Sequence, residues 1–365
     1  MTGIARIETA TAVLPLPAPL HLGAMTVTRR EYSAVRASDA DGFSGVAYCL
    51  SREAPMAEIV ERLVAGHAIG ADADDPAATW DRMLRGSAIV GRVGLVRRAI
   101  GLVDIALWDV AARRAEMPLW RMLGTGDAPR DAMLVAAYPS AARAPREVAD
   151  EVLAQADGWS QVKISRMPDP AYMRELLALL GDDLPSGTGL VVDVGFGWRD
   201  ADEALAEIAQ WGDPRLAWLE DPLLPEDAAG CARIRRESGL RVSVGDEVTD
   251  PAVLRALVEA EAVDVLRLDV VAIGGVTPAR ELIAWASDRG VPVSGHVYPE
   301  VTAHLGIGVE TFARGTNPYD PAPSFIVGGP VFDDTVRPTD AAGLGFTLDP
   351  GVFDLGAFSG GEGDD

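Results

Sequence analysis

Residues 216–247 read LAWLEDPLLPEDAAGCARIRRESGLRVSVGDE, and this stretch decides the fold. Its first five residues form a short apolar run closed by an acid, which predicts a buried strand at 216–220. The polar, Ala- and Arg-rich segment 226–238 predicts a helix, and 241–245 predicts a second strand. The same unit recurs in both directions, with strands predicted at 133–138, 161–165, 190–194, 263–268 and 291–294. Helices are predicted between them at 145–156, 170–180, 201–211, 251–259 and 278–289. Strands alternating with helices of this length imply βαβ units and a parallel sheet. Seven or eight such units in succession favour a closed barrel over an open doubly wound sheet. No Gly-x-Gly-x-x-Gly follows the first strand, so a dinucleotide fold has no local support.

Upstream, the pattern is different. Strands are predicted at 4–13, 26–37 and 45–50, with Asp41-Gly42 marking a hairpin turn, and helices at 57–68, 76–84 and 94–115. In the last of these, Val96, Ile100, Val103, Leu107 and Val110 recur every three or four residues and define one apolar face. The domain organisation expected is an α+β capping unit over 1–128, a barrel over 129–325, and a segment from 326 to 365 that packs back on the N-terminal unit. The last residues, 359–365, are almost entirely glycine and acid and are expected to be disordered.

Composition narrows the function classes. A chain of 365 residues, 48% hydrophobic and 24% charged, is neither disordered nor fibrous. Two cysteines, Cys49 and Cys231, cannot make a disulfide framework or a thiolate metal site, and they fit a reduced, cytoplasmic setting. A net charge of −23 repels phosphates, so neither nucleic acid nor an anionic membrane is expected as a partner. No run of about 18 apolar residues predicts a membrane span, and the N-terminus lacks the basic-then-apolar order of a signal peptide.

The informative side chains sit where predicted strands end. Asp193, Glu220, Glu247, Asp269 and His296 follow one another at intervals of 27, 27, 22 and 27 residues, about one βα unit each. In a barrel, all five meet at the C-terminal mouth, where barrel enzymes keep their chemistry. One acid after a strand is an ordinary helix cap. Three on successive strands repel one another unless a cation neutralises them. Oxygen-only ligands suit Mg²⁺, with Mn²⁺ as a variant, whereas Zn²⁺ calls for more His or Cys than this chain readily supplies. Asp193, Glu220 and Glu247 are therefore the expected metal ligands. Asp269, one strand before His296, is expected to orient the imidazole and raise its pKa, making it a proton carrier. Lys163, inside the apolar strand 161–165, needs buried negative partners, and the metal carboxylates and a substrate carboxylate would supply them.

These residues resemble the enolase superfamily, and within it the mandelate racemase-like subgroup. The resemblance spans nearly the whole chain. It rests on Ala106-Leu107-Trp108-Asp109 with Met117-Pro118-Leu119, on Val191-Val192-Asp193 with Trp198, on Trp218-Leu219-Glu220-Asp221-Pro222, and on Gly245-Asp246-Glu247. Arg267-Leu268-Asp269 with Gly274-Gly275, and Gly295-His296 with Ala303-His304-Leu305, complete it. The resemblance implies a (β/α)₇β modified TIM barrel under an N-terminal α+β capping domain, and a homo-oligomer. It also implies removal of a proton α to a carboxylate, with Mg²⁺ stabilising the resulting enediolate. Cap residues around His21 and Tyr48 would shape specificity, with Tyr138 and Ser165 as further substrate-binding candidates in the barrel.

Two departures from the family pattern select the reaction. The second barrel strand of the family carries Lys-x-Lys, with the second lysine as a base; here Lys163-Ile164-Ser165 puts Ser165 in that place, and serine has no usable pKa for the role. The acid that closes the family's eighth strand is left open, with Thr316 and Asn317 near the position and Glu310 somewhat earlier. One face of the substrate then has a base, His296, and the other has none. Racemisation needs two acid–base groups, whereas syn dehydration works with one that removes the α-proton and then protonates the departing β-hydroxyl. Dehydration of a sugar acid to a 2-keto-3-deoxy acid is the expected reaction. The alternatives are a racemase or epimerase using Lys163 as second base, and a metal-binding barrel that no longer catalyses.

Overall fold

The computed structural model describes residues 2–22, 25–212, 214–311 and 322–355, with the backbone alone at 21, 22, 25 and 323. His21's side chain, Thr316, Asn317 and the tail 359–365 lie outside the described residues. The chain opens with an antiparallel sheet of β1 (Ile4–Leu22), β2 (Met25–Asp39) and β3 (Ser44–Leu50), in that spatial order. β1 runs well past the predicted end at residue 13, through Pro15, Pro17 and Pro19. Among the described residues its one partner strand is β2, so its outer edge beyond Ile4 can dispense with ladder donors, and the register shifts between Pro15 and Leu20.

Eight parallel strands follow: β4 (Arg130–Ala137), β5 (Gln161–Ser165), β6 (Gly189–Asp193), β7 (Leu216–Glu220), β8 (Val242–Val244), β9 (Val265–Asp269), β10 (Val293–His296) and β11 (Val309–Thr311). They pair in chain order, and β11 returns to pair with β4. A bridge between Ser294 and Gly308, with Gly295 N–H donating to the Gly308 carbonyl at 2.8 Å, joins β10 to β11 and closes the ring. The fold is thus the expected modified TIM barrel under an α+β cap, and closure leaves no open edge.

Side-chain alternation divides the barrel into two environments. Val162, Ile164, Val192, Leu219, Leu266 and Leu268 point outward and pack with the helices in the main core. Met133, Val191, Trp218 and Val265 point inward and form a separate apolar plug. Two residues further along, the inward positions become Asp193, Glu220 and Arg267, with Asp269 two beyond Arg267, so the charged mouth rests on a packed floor.

The cap helix Leu95–Arg114 departs most from the sequence reading. One apolar face was expected, yet the helix is buried nearly all round, including Asp104 and Asp109. It lies between the cap sheet and the barrel, and its buried acids serve as ties. Asp109 accepts from the backbone N–H of Val46 at 3.0 Å and of Leu344 at 2.7 Å. Asp104 accepts from the N–H and hydroxyl of Thr277 at 2.9 and 2.7 Å, at the start of the barrel helix Val276–Ser287. The C-terminal residues join in: Ile326–Gly328 pairs with Phe346–Leu348, and Thr335–Val336 adds antiparallel to β4.

Gly101 sits where this helix meets the barrel, and a Cβ there would overlap the Val271 carbonyl oxygen. Helix propensity alone makes Gly→Ala favourable by about 1 kcal/mol, whereas overpacking costs about 1–3 kcal/mol. Gly101→Ala is expected to be destabilising overall, by up to about 2 kcal/mol in chemical denaturation. A stabilised variant would mean that the helix does not press on the barrel.

Candidate active site

The mouth gathers four carboxylates, Asp193, Glu220, Asp246 and Glu310, around two buried cations. Arg267, fully buried on β9, donates through Nε to Asp246 Oδ1 at 3.0 Å and through Nη2 to Glu310 Oε2 at 2.6 Å. Its Nη1 donates to the Ser294 hydroxyl at 2.9 Å and the Gly295 carbonyl at 3.0 Å, and its Nε is 3.2 Å from Glu220 Oε2. Lys163, on β5, donates to Glu220 Oε1 at 2.7 Å, pairs with Glu310, and lies 3.6 Å from Asp193 Oδ2. Burial opposes the lysine's charge, but Glu220 and Glu310 more than offset it and hold its pKa well above the ordinary value.

Asp193, Glu220 and Asp246 each bring an oxygen within 4.8 Å of the others. The acid expected third in this group was Glu247, and here the structure differs. β8 stops at Val244, so strand alternation no longer governs the next residues. Gly245 sits at φ 144°, where a Cβ would overlap the Arg267 carbonyl oxygen, and Glu247 follows in the left-handed region at φ 62°. This turn aims Asp246 into the barrel and swings Glu247 toward the cap, where it pairs with Arg52 and Arg98.

The trio suits a hard dication. All its donors are carboxylate oxygens, and burial pushes Glu220 up to about 7 despite Arg267 and Lys163. Burial likewise raises Asp193, with Asp246 and Glu310 adding repulsion. Carboxylates held above their ordinary range by burial and by one another gain most from added positive charge. Burial would also raise Asp246, but Arg267 and His296 outweigh it and bring it down to about 2.

His296 ends β10 in register with Asp269 on β9. The expected direct orientation by Asp269 is not made. One Asp269 oxygen, Oδ1, is taken by the N–H groups of Val271 and Ala272, both at 2.9 Å, and Oδ2 lies 3.7 Å from Arg98. The imidazole instead has Nδ1 2.8 Å from Asp246 Oδ2 and 3.5 Å from Glu310 Oε1, with Nε2 3.5 Å from Glu247 Oε1. Burial opposes protonation of His296, yet Asp246 and Glu310 raise its pKa well above the ordinary value. Val297 and Tyr298, next in the chain, both sit at φ 46°, a costly conformation for such side chains. The Tyr298 hydroxyl accepts from Leu50 N–H at 3.1 Å, so β3 of the cap helps hold this turn.

The substrate-binding candidates divide. Tyr138 follows β4, and burial pushes its hydroxyl up to about 12 in the field of Arg30, Lys163, Glu310 and Asp193. Ser165 ends β5 level with Asp193. Tyr48 does not face the mouth: it is buried, its hydroxyl donates to Glu300 at 2.9 Å, and its ring packs on Tyr298 and Phe325. Sequence reasoning missed Asp246, Arg267, Arg52 and Arg98 as parts of the site, and left Glu310 as an unassigned candidate. Arg267 carried a signal, being a cation inside an apolar strand two residues before Asp269, as Lys163 is two before Ser165. Glu310 carried little, because β11 has three residues and no readable period.

Residues 6–124 match the N-terminal domain of the mandelate racemase/muconate lactonizing enzyme family, and residues 147–352 match the enolase C-terminal domain-like family. The chain belongs to the mandelate racemase branch of the enolase superfamily. It is 30% identical to 3,6-anhydro-alpha-L-galactonate cycloisomerase of Streptomyces coelicolor, over 95% of this chain and 97% of that protein. It is 28% identical to L-talarate/galactarate dehydratase of Salmonella typhimurium, over 84% of this chain and 78% of the relative. Among solved structures, a racemase from Streptomyces coelicolor with bound magnesium superposes with a TM-score of 0.84 at 25% identity, covering 96% of this chain and 99% of that one. The superfamily uses Mg²⁺, and these relatives support enolase-type chemistry here. Among the described residues, no helix is long and apolar enough to cross a membrane.

Arg267 should be indispensable to the barrel interior. Removing one partner of a buried ionic network costs about 3–5 kcal/mol, so Arg267→Met is expected to lose that much stability in urea denaturation, even in a chain that still folds. A loss below about 1 kcal/mol would mean that Glu310 and Asp246 are neutralised by other groups.

Proposed function

We propose that this protein dehydrates a sugar acid to a 2-keto-3-deoxy acid, with Asp193, Glu220 and Asp246 holding one Mg²⁺ and His296 as the single acid–base group. The observation that carries this reading is the asymmetry of the mouth. An imidazole at the end of β10 faces the carboxylate trio, whereas the corresponding end of β5 offers only the Ser165 hydroxyl. The sugar-acid class draws on the relatives named above, a cycloisomerase of an anhydro-galactonate and a talarate/galactarate dehydratase.

Mg²⁺, when bound, neutralises the substrate carboxylate and the negative charge that grows on it as the α-proton leaves. The remaining roles fall to the chain. Lys163, charged and held between Glu220 and Glu310, offers a hydrogen-bond donor to the substrate carboxylate. His296, in its neutral form, takes the α-proton on its own face of the substrate. The same imidazolium then donates that proton to the β-hydroxyl, which leaves as water, and tautomerisation of the enol gives the 2-keto-3-deoxy acid. Because one group performs both transfers, the two departing substituents lie on the same face. Tyr138 and Ser165 line the approach to the α-carbon. The cap, pinned at Tyr298, limits water in the pocket.

The adjacent acids give a sharp test. Asp246→Asn is expected to abolish Mg²⁺ binding in calorimetry, and Glu247→Gln to leave it within about threefold, a change below about 1 kcal/mol. The reverse ranking would return the third ligand to Glu247. For the reaction, mono- and diacid sugars with Mg²⁺ are assayed for 2-keto acid formation in D₂O. Keto acid from the wild type and none from His296→Asn, whose Mg²⁺ affinity is retained, is the expected result. Deuterium entering the α-carbon of recovered substrate without loss of water would replace dehydration by racemisation.

A further inference from the structure

Arg98 belongs to the cap helix, yet its guanidinium reaches the barrel mouth. Nη2 donates to the Glu247 backbone carbonyl at 3.2 Å and pairs with the Glu247 carboxylate, while Nη1 lies 3.7 Å from Asp269 Oδ2. Glu247, Asp269 and His296 offer atoms that all lie within 4.8 Å of one another. Two carboxylates therefore flank the imidazole in a largely buried space, and among the described residues Arg98 is the cation within ion-pair distance of both. Asp269 Oδ2 has no hydrogen-bond partner of its own. At the start of the same helix, Gly94 N–H donates to the Thr249 hydroxyl at 2.9 Å, so the helix terminus and Arg98 together grip the 247–249 loop. That loop needs holding, since Glu247 is a non-glycine residue in the left-handed region.

We propose that Arg98 is a positioning residue: it fixes the Glu247 and Asp269 carboxylates on either side of His296, so that the base is aligned only when the cap helix is docked. The proposal rests on the reading of His296 as the acid–base group. A planar fork can hold a carbonyl, one carboxylate and a second carboxylate at once; a lysine ammonium keeps the charge but not this arrangement. With the guanidinium gone, the two carboxylates repel, the loop relaxes, and the imidazole is free to turn. Misplacement of a catalytic group by about 1 Å is enough to cost about 100-fold in turnover.

The test compares wild type, Arg98→Met and Arg98→Lys as Mg²⁺-loaded full chains with ¹⁵N-labelled histidine. His296 is assigned by its absence in His296→Asn. The imidazole resonances of His296 are expected to move and broaden in Arg98→Met, and less in Arg98→Lys, while those of His67 and His304 stay in place. Mg²⁺ affinity should change less than threefold. On any acid sugar that the wild type converts, kcat should fall about 100-fold in Arg98→Met with KM changing less than threefold, and Arg98→Lys should recover about tenfold. If the wild type converts none of these acids, the functional reading fails on its own account, and the resonances still decide the role of Arg98. Unmoved His296 resonances in both variants overturn the proposal, as does a kcat loss in Arg98→Met without the resonance change. Should Arg98→Met fail to fold, Arg98→Lys alone decides: displaced His296 resonances support the proposal and unchanged ones overturn it.

Discussion

The interior of this barrel is organised by the cost of burying charge. Carboxylates from β6, β7, β9, β11 and the loop after β8 converge in a space that water barely enters, and such a group is costly without a counter-charge. Arg267 and Lys163 supply it from within the strands. Each spans several acids rather than one, and Glu310 is shared by both cations. This mutual dependence explains why an acid on a three-residue barrel strand, far from the others in sequence, is as firmly placed as those on the five-residue strands. The negative excess that remains gathers at Asp193, Glu220 and Asp246, which is the property a hard dication requires.

A second constraint couples the cap to the barrel. The long cap helix carries acids at positions where a simple amphipathic helix would be apolar, and each acid closes a gap between units: Asp104 to the barrel helix, Asp109 to β3 and to the C-terminal residues. The Tyr298 hydroxyl, at the strained turn after His296, meets the backbone of β3. The elements that shape the substrate pocket and those that set the proton carrier are thus joined through polar contacts. Such contacts depend strongly on geometry, so a shift of the cap is felt at the base.

Much of the architecture could be read locally. The βα rhythm, the apolar outward residues and the acids at strand ends all follow from period-two alternation and segment length, which the chain specifies without reference to distant parts. Asp193, Glu220, Asp269 and His296 were found that way because each ends a strand whose register continues to its last residue. Lys163 was legible because a cation in an apolar strand demands partners. Glu310 could be named but not assigned, because three residues carry no period. Tyr48 misled because its position near the mouth in sequence says nothing of which neighbours claim its hydroxyl.

The clearest division lies between Asp246 and Glu247. That an acid should follow β8 and join those on the preceding strands was determined by spacing alone. Which of the two enters the barrel was decided by the tertiary structure. Once the strand stops at Val244, alternation no longer sets side-chain direction. Gly245 turns at φ 144° with the Arg267 carbonyl packed against it, a contact that exists only in the folded barrel. The chain by itself encodes what recurs at short range. The orientation of a side chain beyond a strand's end depends on backbone that is distant in sequence and adjacent in space.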